Sequence, residues 1–213
     1  MSLSAWSLFC MLSLVTAFSP GPAVLLAVSN AATLGMRRAL VSSAGNAAGV
    51  VLVSATAMLG LGALLKTSAW LFGALKLAGA VYLIYLGIRQ WRSRASVFDA
   101  APNAVGMRGQ PIARLFLQGL LVATTNPKSI LFFTALLPQF MSSEVPAMRQ
   151  FLMLTLTFAA CTVVSHLCYA GLVRGMGHWF ASAARARQFN RLSGAMFVVL
   201  GAGLLRLRNN HAV

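Results

Sequence analysis

The sequence predicts an all-α membrane protein of six transmembrane helices, arranged as two inverted three-helix repeats in which helices 1 and 4 are broken at proline. Three observations support this fold class. Hydrophobic residues make up 59% of the 213 residues and charged residues only 9%, against about 25% charged in an ordinary soluble domain. Six apolar runs approach the roughly 20 residues that a spanning helix needs. The two halves of the chain also resemble each other.

The net charge of +15 arises because 17 Lys and Arg residues are opposed by only two acids, Asp99 and Glu144. The basic residues cluster between the apolar runs, as in loops that orient membrane helices, and do not form the solvated basic patch that nucleic-acid binding requires. We therefore expect no nucleic-acid partner. Cys10, Cys161 and Cys168 each lie within an apolar run, so neither a disulfide framework, a metal site nor a redox cofactor is expected.

The six predicted spans, in order, are Ala5–Val28, Ala39–Leu64, Trp70–Ile88, Ala113–Leu137, Phe151–Val173 and Leu192–Leu207. The first apolar run is longer than the roughly 7–15 residues of a cleavable signal and is expected to stay in the protein. The last span is short. The preceding segment, Trp179–Arg191, is expected to lead into it along the membrane interface as an amphipathic segment.

A polar connection, residues 90–111, divides the chain into a first repeat, 1–89, and a second repeat, 112–213. The segment Leu77–Ile84 aligns with Leu192–Val199 along its whole length, which indicates an internal duplication. Because each repeat holds three spans, an odd number, the two must cross the membrane in opposite directions. Lys and Arg are concentrated in the first, third and fifth connections, which predicts that these are cytoplasmic and that both termini face outward.

Spans 1 and 4 each contain an interruption. The interrupting residues are Pro20, Gly21 and Pro22 in the first span and Asn126 and Pro127 in the fourth. Proline lacks an N–H group, and its ring crowds the carbonyl four residues earlier. Pro20 should therefore free the carbonyl of Thr16, and Pro22 that of Phe18. Interrupted helices at corresponding places in two repeats indicate a transport site near the bilayer midplane, where a cavity can meet such carbonyls.

Lys128 directly follows the second interruption, and an ionisable side chain deep in a membrane is a candidate functional group. The alternative is that Lys128 snorkels to the membrane interface or pairs with the carbonyls that the prolines free. The half-helix that resumes after each break offers free N–H groups and a positive dipole end, which suit a carboxylate. The freed carbonyls suit an ammonium group, and Thr125 and Asn126 add a hydroxyl and an amide. The predicted substrate-binding residues are Pro20, Gly21, Pro22, Asn46, Thr125, Asn126, Pro127 and Lys128.

Asn46 allows two interpretations, because it lies between Gly45 and Gly49. It either contacts substrate or joins two closely packed helices. Gly171 and Gly175 predict a second packing motif of the same kind. His166 is the one side chain within a span that titrates near neutrality, so it is a candidate proton-coupling residue, although a lone membrane histidine is more often a packing residue.

These features predict a secondary transporter, since no nucleotide-binding or hydrolytic motif is present. No Asp or Glu lies in any span, which favours a neutral zwitterion or an anion over a cationic substrate. Two other classes remain open. An intramembrane enzyme acting on lipid or peptide would use His166 as base with Ser165 beside it, and a scaffold would bind partner helices through its glycine-lined faces.

Five segments in this order resemble the LysE/RhtB family of amino-acid exporters: Phe18–Pro22, Gly45–Gly49, Leu75–Leu83, Asn126–Lys128 and Leu136–Phe140. The resemblance covers nearly the whole chain. It implies a bacterial inner-membrane protein with periplasmic termini that exports amino acids in exchange for protons. Members export basic amino acids, homoserine, threonine, leucine or related compounds. The lack of membrane carboxylates favours small neutral amino acids here, with basic amino acids as the alternative. The expected partners are the amino acid, protons, the lipid bilayer and a second copy in a homodimer.

Overall fold

The computed structural model describes residues 3–64, 69–93, 110–142, 145–180 and 182–206. Within these ranges the chain is helical and contains no strand, which confirms the all-α prediction. The helices are α1 (Leu3–Phe18), α2 (Pro22–Leu34), α3 (Met36–Leu64), α4 (Ala69–Arg92), α5 (Ile112–Thr125), α6 (Pro127–Leu136), a 3₁₀ helix (Leu137–Phe140), α7 (Ala147–Phe180) and α8 (Ala183–Arg206). Asp99, Glu144 and most of the predicted linker lie outside the described residues.

Both predicted interruptions are present as bends between helices. The axes of α1 and α2 differ by 57°, and α5 differs by 53° from the segment formed by α6 and the 3₁₀ helix. Pro22 and Pro127 are the first residues of α2 and α6, where a missing N–H group leaves no helical hydrogen bond unmade. The first bent pair, α1 and α2, continues beyond the predicted end at Val28. It ends at Leu34, directly before Gly35, whose φ of 87° favours glycine.

The segment before the last predicted span is helical and joins that span without a break. From Ala183 onward it forms the first turns of α8, which continues to Arg206. This continuity has a local reason, because the stretch contains neither glycine nor proline and is rich in alanine and arginine, which favour a continuous helix. Its position along the membrane interface stays a prediction.

Length and composition identify α3 over Met36–Gly60 and α7 over Ala147–Val173 as helices able to cross a membrane. Each of the two bent pairs meets the same criterion when it is taken as one unit, which brings the number to four within the described ranges. The count of six spans and the inverted repeat therefore remain predictions.

Glycine residues bring two pairs of helices into backbone contact. A Cβ atom on Gly45 would overlap the carbonyl oxygen of Phe116, and one on Gly49 would lie 2.6 Å from the Cβ of Ala123. These contacts join α3 to α5 and confirm the packing prediction for both glycines. The contact between α4 and α8 is similar, because a Cβ on Gly194 would lie 2.6 Å from the carbonyl oxygen of Gly87.

The predicted packing motif at Gly171 and Gly175 is wrong for the described part of the chain. A Cβ atom at either position would meet no heavy atom of that part within 4 Å. Both glycines lie on α7 and are exposed, on a face that the other described helices do not cover. The two glycines have the same spacing as Gly45 and Gly49, but no other described helix packs closely against them.

An aromatic cluster holds α1, α6 and α7 together beside the two bends. The ring centroids of Phe132 and Phe158 lie 4.5 Å apart, and those of Phe9 and Phe140 lie 5.2 Å apart. All four rings are buried. Because lipid tails are as apolar as these rings, van der Waals packing between the rings stabilises the cluster. The cluster packs the middle of α1 against α6 and the 3₁₀ helix.

Candidate functional site

Lys128 connects the two interruptions directly. Its Nζ donates a hydrogen bond of 2.8 Å to the carbonyl oxygen of Thr16 and one of 2.9 Å to that of Ser19. The last carbonyls of a helix have no partner within the helix, and Pro20 removes the N–H group that would have continued the ladder. The prediction that the Thr16 carbonyl is free of a helical partner is thus confirmed, and the group that meets it is the lysine ammonium.

Two side chains of α7 meet the remaining carbonyls at the end of α1. The Ser165 hydroxyl donates to the carbonyl oxygen of Ala17 at 2.8 Å, and the Tyr169 hydroxyl donates to that of Phe18 at 2.6 Å. Ser165 and Tyr169 lie one helical turn apart and therefore on one face of α7. The four carbonyls from Thr16 to Ser19 each accept a side-chain donor from the second half of the chain.

The second interruption supplies its own hydrogen-bonding partners. The Asn126 N–H group donates to the carbonyl oxygen of Ala123 at 3.3 Å, and the Asn126 Oδ1 accepts from the Lys128 backbone N–H at 3.1 Å. Asn126 is therefore the N-cap of α6, a position that asparagine favours. The predicted free N–H groups at this helix end are partly used by the cap.

A cavity of about 350 Å³ lies between the two interruptions. It is lined by six of the eight predicted substrate-binding residues: Pro20, Gly21, Pro22, Asn126, Pro127 and Lys128. A Cβ atom on Gly21 would lie 3.3 Å from the Lys128 Nζ, so the glycine leaves room beside the ammonium group. No described side chain caps the N-terminus of α2, and Gly21, Pro22 and Leu25 at this helix end line the cavity.

The opposite wall comes from α4 and α8. Tyr82, Arg89, Gln90 and Asn190 line the cavity there, and the Gln90 Nε2 donates to the Asn190 Oδ1 at 2.7 Å. Asn190 also donates to the Ser93 carbonyl oxygen at 3.2 Å. The sequence interpretation treats Arg89 only as a charge that orients the third span. No local pattern marks this wall, because it forms only when α4 lies along α8.

Asn46 and Thr125 do not line the cavity. Asn46 is buried between α3 and α5, where its Nδ2 donates to the Gly119 carbonyl oxygen at 3.4 Å. Thr125 is exposed and donates to the carbonyl oxygen of Leu121 at 2.7 Å. Of the two interpretations of Asn46, helix–helix contact is the one with a visible partner. Substrate contact at either residue stays a prediction.

His166 is buried away from the cavity, with its Nδ1 3.1 Å from the Ser43 hydroxyl oxygen. That hydroxyl donates to the Ala39 carbonyl oxygen, so its oxygen is left to accept from the histidine N–H. The neighbouring Ser165 hydroxyl donates to Ala17. Ser165 and His166 therefore have separate partners and do not form the nucleophile–base pair that the enzyme hypothesis requires.

The electrostatic character of the cavity is positive. Lys128 and Arg89 line it from opposite sides, and the uncapped end of α2 contributes the positive end of a helix dipole. The carbonyl oxygens of Thr16 and Ser19 accept hydrogen bonds from the Lys128 ammonium beside the cavity. The arrangement can bind a small molecule that carries two groups. One is a carboxylate or another anionic or carbonyl group, and the other is an ammonium group.

Comparison with known proteins agrees with this geometry. Residues 14–208 match the model of the LysE type translocator family. The chain is 32% identical over 209 residues to the homoserine/homoserine lactone efflux protein of Salmonella typhimurium, covering 98% of this chain and 100% of that protein. It is 29% identical to the threonine efflux protein of Salmonella typhi, covering 92% of this chain and 94% of that protein.

The leucine efflux protein of Salmonella choleraesuis is 28% identical over 195 residues, covering 89% of each chain. No solved structure matches this protein. The family match spans both interruptions and every residue that lines the cavity. This chain therefore belongs to the LysE type translocator family.

Proposed function

We propose that this protein is a secondary active exporter of small neutral amino acids or their close analogues, and that it works by alternating access. One observation carries the proposal: two broken helices, one from each half of the chain, enclose a cavity lined by Lys128. Its volume of about 350 Å³ lies at the lower end of the roughly 300–1,000 Å³ of ligand pockets. The relatives named for homoserine, threonine and leucine efflux support a substrate of this size.

The amino acid lies in the cavity with its carboxylate and its ammonium group on different polar groups. Its carboxylate binds beside Lys128, toward the N-terminus of α2, which no described side chain caps. Its ammonium group binds the carbonyl oxygens of Thr16 and Ser19 in place of the Lys128 ammonium. Pro127 and Asn126 contribute by starting α6 at the point that aims Lys128 across to α1.

A basic amino acid fits this cavity less well than a neutral one. Its side chain would bring a second cation toward Lys128 and Arg89, and no described residue that lines the cavity is a carboxylate. Like charges at close range in a poorly solvated site are unfavourable. This observation favours the neutral class over the basic class, which remains the alternative outcome of the transport assay below.

The helix packing supports the proposed pair of inverted repeats, 1–89 and 112–213. The second unit of the first half, α3, packs on α5 and α6, and the second unit of the second half, α7, packs on α1 and α2. The pairs α3–α7 and α4–α8 each join equivalent units. Exchanging the two halves maps these particular contacts onto one another, which supports a two-fold relation.

The proposed setting is the bacterial inner membrane, with both termini periplasmic, proton exchange as the energy source and a homodimer as the assembly. The distribution of Lys and Arg supports the orientation. The named relatives come from bacteria, which supports the location. Cysteine accessibility at residues 3 and 182 from either side of the membrane tests the orientation, because the first is predicted to be periplasmic and the second cytoplasmic.

Inverted membrane vesicles that contain the full-length protein test the function. Labelled homoserine, threonine, leucine and lysine are offered with and without a proton gradient. We expect accumulation of the neutral amino acids only in the presence of the protein and its loss in Lys128→Ala. Arg149→Ala, which changes an exposed basic residue at the start of α7, is the matched control and should accumulate as the unaltered protein does. Accumulation of lysine alone would show the basic class, and no accumulation of any amino acid would contradict the proposal.

A further inference from the structure

We propose that Lys128 is the proton-carrying group of this exporter, because its ammonium occupies the same carbonyl oxygens that the ammonium of the substrate takes on binding. The inference rests on the proposed export function and adds the residue that couples export to protons. His166, the residue that the sequence offers for this role, has its hydrogen bond to Ser43 and does not line the cavity.

The lysine ammonium is bound by neutral oxygens alone. Lys128 makes two hydrogen bonds, to the carbonyl oxygens of Thr16 and Ser19, and an ammonium has three hydrogens to donate. No described residue is a carboxylate that could pair with it, since Asp99 and Glu144 fall outside the described ranges. A buried cation without a counter-ion depends on its hydrogen bonds, so the two carbonyls hold the charge in place.

An amino acid presents the same chemical group to the same acceptors. Its α-ammonium also has three hydrogens and prefers carbonyl oxygens. Thr16 and Ser19 carry, in addition, buried hydroxyl oxygens that have no partner in the described part of the chain. Two ammonium groups cannot share the two carbonyls, because like charges a few ångströms apart disfavour each other's charged form.

The exchange balances as one proton for one amino acid. On the cytoplasmic side the substrate ammonium takes the carbonyls, the Lys128 N–H bond to its third hydrogen breaks, and the proton passes to water in the cavity. The lysine then remains as a neutral amine that still donates hydrogen bonds. On the outer side the amino acid leaves, the amine nitrogen gains a proton from the periplasm, and the ammonium returns to Thr16 and Ser19. The net result is one amino acid out and one proton in.

The other titratable or charged groups that face this point are poorer proton carriers. They are Tyr82 and Arg89 on α4 and His166 and Tyr169 on α7. Arg89 lines the wall of the cavity opposite the carbonyls of Thr16 and Ser19. The Tyr169 hydroxyl is held on the Phe18 carbonyl, and His166 is held on Ser43. Among these described groups, Lys128 is the one that both lines the cavity and occupies the carbonyls of Thr16 and Ser19.

Proton release by the wild-type protein tests the inference without any variant. Purified full-length protein in detergent, in weakly buffered solution with a pH indicator, is mixed with leucine, threonine or homoserine. We expect one proton released for each amino acid bound. Binding without proton release would overturn the inference, because it would show that Lys128 keeps its proton and moves onto the substrate carboxylate.

Proteoliposomes provide the second measurement. Lys128→Arg keeps a cation and its donors at the same place but cannot release a proton. We expect the accumulation of amino acid that a proton gradient drives to fall about tenfold in Lys128→Arg, which lies within the usual range of coupling between two ligands. The same accumulation should be retained in His166→Gln. Driven accumulation in Lys128→Arg at the wild-type level, or its loss in His166→Gln, would overturn the inference. If wild-type proteoliposomes transport no amino acid at all, the proposed function fails and this inference fails with it.

Discussion

Replacing Gly119 with alanine should force α3 and α5 apart, and the size of the effect can be worked out from their contact. The new Cβ atom would overlap the carbonyl oxygen of Ser42 and lie 2.9 Å from the backbone nitrogen of Asn46. In an unpacked helix the same change stabilises by about 1 kcal/mol, because glycine is a poor helix former. Here we expect a net loss of about 1–3 kcal/mol, the usual cost of overpacking, since both helix backbones must move.

The matched control is Gly171→Ala, where the added Cβ meets no described atom within 4 Å. This variant should keep the helix-propensity gain and unfold at or slightly above the wild-type temperature. Thermal unfolding of purified protein in detergent, followed by intrinsic fluorescence, measures both. For a chain of this size 1 kcal/mol shifts Tm by about 2–4 °C. The reasoning is refuted if Gly119→Ala unfolds at the temperature of Gly171→Ala or above it.

Three further predictions concern the ends of the broken helices and the cavity. Tyr169→Phe leaves the Phe18 carbonyl without its donor and should destabilise by about 1–3 kcal/mol in the same unfolding assay, whereas Tyr85→Phe, at an exposed tyrosine, should change nothing. Asn126→Ala removes the cap of α6 and should cost about 0.5–2 kcal/mol; Asn126→Asp keeps the accepting oxygen and should retain most of that stability, and equal losses in the two would argue against the cap. Arg89→Gln should weaken uptake of neutral amino acids about fivefold, near 1 kcal/mol for an exposed charge, and should improve competition by lysine in inverted vesicles; an unchanged ratio of lysine to leucine would exclude Arg89 from selectivity.

The sequence predicts the freed carbonyls but not all of the groups that bind them. Their existence at Thr16 and Phe18 follows from proline four residues later, a covalent property of the chain. Their partners do not follow, because the donors at Lys128 and Tyr169 lie 112 and 151 residues away in the chain. The sequence interpretation assigns these carbonyls to a substrate ammonium, with pairing to Lys128 as the alternative. The structure shows a lysine ammonium on one of them and a tyrosine hydroxyl on the other.

The two glycine motifs likewise differ in packing although their sequence spacing is the same. Gly45 and Gly49 have the same spacing as Gly171 and Gly175, and the pattern predicts close helix contact at both pairs. Only the first pair meets a neighbouring backbone. A small residue permits close approach but does not bring a partner helix to it, and the partner α5 belongs to the other half of the chain.

By itself, the sequence determined the helical class of this protein, the two points at which its helices break and the buried lysine beside one of them. These are properties of the local chain: hydropathy, the missing N–H group of proline and the position of a charge within an apolar run. Only the tertiary structure decided that Lys128 lies on the carbonyls of α1 and that Arg89, Gln90 and Asn190 complete the cavity. Those contacts depend on how α4 packs on α8 and on how Lys128 of α6 reaches α1. The packing energy between helices that are distant in sequence is spread over many side chains, so it cannot be predicted from any short segment.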